Sequence, residues 1–186
     1  MISPVSWSSE LPDENGAIAG DLASTLLPIR IEPVKTSHVQ ALIELFERNC
    51  VLEVGKNFDP FPLTAEQARR IALEACLDAY FVARMETELV GMSMLRGFDE
   101  GFEVPSFGIF IDYHHHGQGI GRRLTSWTVG EAGRRGCSSI RLSVYASNTA
   151  ALRLYRSLGF EEQGREAVAR VTGKDEKIVM TKSLRD

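Results

Sequence analysis

The sequence predicts a mixed α/β (α+β) domain, in which six to seven strands form one sheet with helices on both faces. Three observations predict it. Apolar residues alternate at period two in some runs and recur at helical spacing in others. These runs follow one another in the order β-α-α-β-β-β-α-β-α-β-β. Glycines, prolines and capping residues fall at the joints between them.

Residues 1–27 contain Pro4 and Pro12 and show no sustained periodicity, so they read as a loosely ordered N-terminal extension in which Trp7 could still dock on the domain. The domain spans residues 28–186 and opens at LPIRIEPV, where Leu27, Ile29 and Ile31 alternate as in a strand. SHVQALIELFERNC follows as a helix, with Ser37 as its expected cap and Val39, Leu42, Ile43, Phe46 and Cys50 on one face. NFDPFPLT is a loop carrying Phe58 and Phe61, and Thr64-Ala-Glu-Gln67 opens a second helix expected to reach about Asp78. AYFVARM and ELVGMSMLRG, joined by Glu86-Thr87, read as an antiparallel hairpin.

An acidic loop with Asp99, Glu100 and Glu103 leads into the apolar strand Phe107–Ile111. After the glycine run, Ile120, Leu124 and Trp127 mark a helix ending near Gly133 to Gly136. SIRLSVYA is the next strand, Asn148 caps a helix running through Leu158, and Gly159 ends it. Two closing strands lie near FEEQGREAVAR and KIVMTKSL.

Composition narrows the function. The net charge of −4 argues against a general nucleic-acid binder, whose footprint is basic, and is compatible with amine substrates. Cys50, Cys76 and Cys137 form no CxxC pair and read as reduced, buried thiols. No apolar run approaches the ~20 residues of a membrane span, and the start lacks the pattern of a secretory signal, so a cytoplasmic protein with no membrane partner is expected. His114, His115 and His116 are consecutive and have no further Cys/His cluster, so they read as surface histidines and no metal is expected.

The glycines of HHHGQGIGRRL stand directly before a helix, where free N–H groups and the helix dipole favour an anion, typically phosphate. A P-loop would need Gly-Lys-Ser/Thr, and here Arg122 and Arg123 follow Gly121. A dinucleotide fingerprint needs GxGxxG and an acid about 20 residues on, and this chain has neither.

HGQGIGRRL does resemble motif A of the GNAT superfamily of N-acetyltransferases, with Gly119 and Gly121 as its two defining glycines. VYASNTAALRLYRSLGF resembles the superfamily's later strand–helix unit, carrying Asn148, Ala151, Leu154-Tyr155 and Leu158-Gly159-Phe160 at the expected spacing. LRGFDEGFEVPS is similar to the signature of a bacterial branch, which names no substrate. The resemblance implies a mostly antiparallel sheet with one splayed parallel pair, Phe107–Ile111 beside Ile140–Tyr145, and acetyl-CoA as co-substrate.

It also implies site residues. Backbone groups of Ile109, Phe110 and Ile111 would face the pantetheine arm, with an N–H near Ile111 polarising the thioester carbonyl. Those of His116, Gly117, Gln118, Gly119, Ile120, Gly121 and Arg122 would surround the pyrophosphate, although the family usually has Arg or Gln where this chain has His116. Asn148 would reach the cofactor as well as cap its helix. Tyr155 is the expected acid for the departing thiolate, or else an aromatic packing its helix on the sheet.

A ribosomal-protein branch carries a Glu where this chain has Ser143. Glu103 is therefore the carboxylate considered as base, with Asp99 and Glu100 attracting an ammonium; the alternative is a solvated acidic loop. Phe58 and Phe61 would wall the acceptor site or simply cover the core. The expected reaction is direct acetyl transfer in a ternary complex to a small primary amine such as an amino sugar. A protein or peptide acceptor, and a non-catalytic acyl-CoA-binding module, remain as rivals, and a homodimer is left open.

Overall fold

The computed structural model describes residues 28–185 apart from 51–53, 55, 56, 59, 171 and 172. The N-terminal extension, with Trp7, and Leu27 lie outside the described residues.

Seven strands form a single sheet in the order β1-β2-β3-β4-β5-β7-β6. They are β1 (Ile29–Pro33), β2 (Ala79–Met85), β3 (Glu88–Arg96), β4 (Ser106–Ile111), β5 (Ser139–Tyr145), β6 (Glu161–Arg170) and β7 (Gly173–Ser183). The described α-helices are α1 (Val39–Asn49), α2 (Ala65–Glu74), α3 (Ile120–Arg134) and α4 (Thr149–Ser157). Every neighbouring strand pair is antiparallel except β4–β5.

Strand alternation sorts the core into two faces. On one, Leu42, Leu45 and Phe46 of α1 and Ala68 and Ile71 of α2 pack with Val82, Met92, Met94 and Phe110. The other carries α3 and α4. There Ile120 and Leu124 meet Ala83 and Val90, while Leu152 and Tyr155 meet Ile140, Leu142, Phe107 and Ile178. Ser93 and Thr128, both fully buried, share a 2.7 Å hydrogen bond between β3 and α3.

The parallel pair departs from a regular ladder. Adjacent parallel strands ordinarily run as a continuous ladder. Here β4 and β5 are joined at one register pair, Ser106 with Arg141, and separate beyond it. The expected splay is present, and it faces the loop that follows β4.

Several local expectations need correction. Ser37 does not cap α1. A 3-10 turn, Thr36–His38, precedes the helix, and His38 Nδ1 takes the Lys35 N–H at 3.2 Å. Cys50 closes α1 instead of packing within it, and Cys50 and Cys76 are exposed, so the thiols are not the buried set expected. The second helix stops at Glu74, because Asp78 leaves the helical path to accept the N–H groups of Gly97 and Phe98 at 2.8 and 2.9 Å. Its start is as expected, with Thr64 Oγ1 accepting from Gln67 N at 3.2 Å. A Thr64→Ala change removes that cap and should cost about 1 kcal/mol, measurable by urea unfolding.

Candidate functional site

The loop after β4 is built to leave donors free. Gly117 and Gly119 have φ of 78° and 77°, left-handed values that favour glycine. Gly119 is the N-cap of α3 and offers no side-chain acceptor. The first-turn N–H groups of α3 therefore point outward without a capping oxygen, at the positive end of a 15-residue helix. A built Cβ at Gly117 or Gly119 would meet nothing within 4 Å, so the concavity in front of them is open. Free N–H groups arranged in such a nest suit an anion, and the open concavity has room for phosphate oxygens.

The segment leading into the nest is pinned to the end of α1, which no sequence motif announced. Asp112 is fully buried and takes two guanidinium nitrogens of Arg48 at 3.0 and 2.9 Å. Its other oxygen accepts the His114 N–H at 3.1 Å. Arg48 also reaches the Leu89 carbonyl and Glu88, both at 3.0 Å, and Asn49 Oδ1 accepts the Tyr113 N–H at 3.0 Å. Charge-assisted bonds of this kind are short and directional, and here they fix where the glycine turn begins. Arg48, Asn49 and Asp112 are polar positions at the end of an amphipathic helix and at a strand terminus; only their pairing in space marks them.

His116 also has a local role. Its Nε2 lies 2.9 Å from the Ile111 carbonyl, an acceptor only, so Nε2 carries the proton and Nδ1 is the open nitrogen. His115 makes a weak 3.4 Å contact with the Gln118 side chain. No group of three or more potential metal ligands occurs among the described residues.

From the nest a cavity of about 930 Å³ runs into the split between β4 and β5, large enough for an extended cofactor arm and an acceptor. It brings together much of the expected set. Ile109, Phe110 and Ile111 line it, as do His116, Gly117, Gly119, Ile120 and Gly121. Asn148, Tyr155 and Phe58 line it as well, whereas Gln118 and Arg122 do not. Asn148 caps α4 through a 3.2 Å bond from Ala151 N, and Arg122 Nη2 is bonded to Ser157 Oγ at 2.7 Å.

Tyr155 packs against Phe107 and Phe160, and burial raises its phenol above the usual range. It therefore stays protonated at any working pH and can donate a hydrogen bond into the cavity. Packing and cavity lining are thus properties of the same ring.

The acidic loop is placed differently from the expectation. Glu103 is exposed and outside both cavities. Asp99 accepts the Leu77 N–H at 2.9 Å, and Glu100 borders a smaller, adjoining cavity of about 310 Å³. Phe61 lies behind Phe58 at 5.2 Å between ring centres and against Phe46, as part of the core. The charged side chains that line the main cavity among the described residues are cationic: Arg96, Arg141 and Lys177.

Residues 39–160 match the Acetyltransferase (GNAT) family. The chain is 38% identical over 80 residues to the ribosomal protein bS18-alanine N-acetyltransferase of Escherichia coli K12, covering 42% of this chain and 54% of that protein. It is 34% identical over 104 residues to a mycothiol acetyltransferase of Thermobispora bispora, covering 52% of this chain and 35% of the relative. The chain thus spans about half the length, or less, of these curated relatives.

Among solved structures, the Escherichia coli ribosomal-protein-S18-alanine N-acetyltransferase superposes with a TM-score of 0.67 at 21% identity, covering 85% of this chain and 95% of that one. A Salmonella typhimurium protein solved with its cofactor acetyl-CoA gives 0.68 at 20% identity, over 85% and 95% of the two chains. At these identities the two superpositions speak for the fold.

Proposed function

The chain belongs to the GNAT family of acetyltransferases, and on that premise we propose that it moves the acetyl group of acetyl-CoA to a primary amine, by direct attack within a ternary complex. One observation carries the reading: the uncapped glycine nest opens into the gap between β4 and β5, so one continuous cleft can hold a pyrophosphate and an arm lying beside β4. When bound, acetyl-CoA supplies an activated thioester. The chain's own residues do the rest. Gly117 through Gly121 hold the phosphates through backbone N–H groups, and β4 offers the backbone groups that its departed neighbour leaves unpaired. His116 fixes the Ile111 peptide, and Tyr155 donates a hydrogen bond to the sulfur as it leaves.

A small metabolite such as an amino sugar remains the preferred acceptor. Phe58 and Pro60 wall the cleft, and Ser143 stands in it where the ribosomal branch carries a glutamate. The similar enzymes are named for acetylation of a ribosomal protein's alanine and for mycothiol. The likeness to the bS18-alanine enzyme keeps a peptide amino terminus as the second reading.

The test is release of free CoA thiol from acetyl-CoA in the presence of small amines and of peptides beginning with alanine. Release with small amines supports the first reading, and release with peptides alone supports the second. Tight acetyl-CoA binding with no turnover of either set would make the protein an acyl-CoA-binding module. Tyr155→Phe should lower kcat about 100-fold, with acetyl-CoA affinity by calorimetry unchanged. An unchanged kcat would remove Tyr155 from the chemistry.

A further inference from the structure

We propose that Arg96 and Arg141, with Ser106 between them, form an anion-binding subsite at the closed end of the cleft, so that the acceptor carries a carboxylate or phosphate group as well as its amine. The inference rests on the acetyl-transfer reading and adds the chemical class of the acceptor.

The three residues form a lateral row across the sheet. Ser106 of β4 is the register partner of Arg96 on β3 and of Arg141 on β5. Register partners put their side chains on one face, about 4.8 Å apart from strand to strand. That face is the one carrying α1 and α2, because Phe110, four residues along β4 from Ser106, packs in their core. All three residues line both the main cavity and the small adjoining one, so the row sits where the two meet. It is also the point where β4 and β5 join, so a ligand arm entering from the glycine nest ends its run towards this row.

The row is braced, and of its two cations Arg141 has no ion pair among the described residues. Arg141 Nε donates to Ser106 Oγ at 3.2 Å, its one side-chain hydrogen bond among the described residues, which leaves the outer edge of the guanidinium towards the cavity. Arg96 lies 5.7 Å from the centre of the Phe61 ring and gives Nη1 to the Pro60 carbonyl at 3.3 Å. Its Nε is buried without a hydrogen-bond partner among the described residues, 3.7 Å from Asp78 Oδ2. The Gly97 and Phe98 N–H groups take the other oxygen, Oδ1, so Asp78 Oδ2 pairs with Arg96 and offsets part of its charge. Glu100, at the border of the small cavity, is the other acid facing this end. Two guanidinium groups flanking a hydroxyl form a planar, fork-shaped donor set suited to carboxylate or phosphate oxygens.

The site can be read without knowing the acceptor. With the enzyme saturated with desulfo-CoA to fill the nest, sodium phosphate and sodium acetate are titrated separately while the arginine Nε–H resonances are followed by NMR. Arg96 and Arg141 should shift together at millimolar anion. Arg141→Gln should weaken that response roughly tenfold or more, with desulfo-CoA affinity reporting that the variant is folded. A stronger response to phosphate points to a phosphorylated acceptor, and a stronger one to acetate points to a carboxylated one.

The functional arm compares matched amines, glucosamine with glucosamine 6-phosphate and alanine amide with alanylglutamate. One anionic member should exceed its neutral partner about ten- to hundredfold in kcat/KM, and R141Q should remove that advantage through KM. Arginine resonances that ignore both anions, or an anion response unchanged in R141Q, would overturn the subsite whether or not any amine is acetylated. Failure of desulfo-CoA to bind would count against the acetyl-transfer reading alone, since the anion titration can be run on the free protein and compared with R141Q.

Discussion

Gly119→Glu should weaken acetyl-CoA binding by at least about 100-fold, read by calorimetry on a protein whose fold is otherwise intact. Two effects add. Gly119 sits at φ 77° and ψ 0°, a conformation that costs a side-chain-bearing residue of order 1–3 kcal/mol. The new carboxylate would also lie at the mouth of the nest, where it would compete for the N–H groups proposed to hold the phosphates. Gly119→Ala separates the two contributions. Nothing lies within 4 Å of its Cβ, so alanine imposes strain alone and should cost roughly tenfold. A glutamate variant that binds within a few-fold of the wild type would mean that the phosphates rest elsewhere.

The second large effect is on stability. Asp112→Ala should destabilise the fold by about 3–5 kcal/mol, because it removes a fully buried carboxylate that holds two nitrogens of the Arg48 guanidinium and the His114 N–H. For a domain of this size that corresponds to a fall in Tm of roughly 6–20 °C. Replacing Arg48 by Met in the same chain should recover part of the loss, since the part-buried guanidinium that has lost its buried partner is then gone. Acetyl-CoA affinity should fall in the single variant beyond what unfolding explains, because Asp112 sets the start of the glycine turn. A single variant as stable as the wild type would show that Glu88 and Leu89 alone can hold Arg48.

The parts of the fold that follow from local rules were legible in the sequence. The hairpin of β2 and β3 was marked by alternation and a short turn, and α4 by Asn148 and Gly159. The nest was legible too, since only glycine suits its left-handed positions. What was not legible depended on distant partners. Asp78 looked like the end of a helix until the N–H groups of Gly97 and Phe98, some twenty residues on, were seen to claim it. Glu103 and Asp99 looked like a site because they stood close in sequence to β4. In space the chain turns them away, and the cleft is edged by Arg96 and Arg141, 45 positions apart and joined across Ser106. Arg48 and Asp112 were invisible for the same reason: ion pairs across 64 positions leave no periodic trace.

The single register pair between β4 and β5 has a thermodynamic consequence. The other neighbouring strands pair over five or more residues, whereas here the proposed acetyl-CoA arm would serve as the missing rung. Binding therefore couples to cohesion: at a free acetyl-CoA concentration 100 times Kd, the folded state gains about 2.7 kcal/mol. That gain should concentrate as slowed amide exchange along Gly108–Ile111 and Ser143–Tyr145, while the outer β1–β2 pairing exchanges as before. The sheet has a seam there, and on the proposed reading acetyl-CoA would be its stitch.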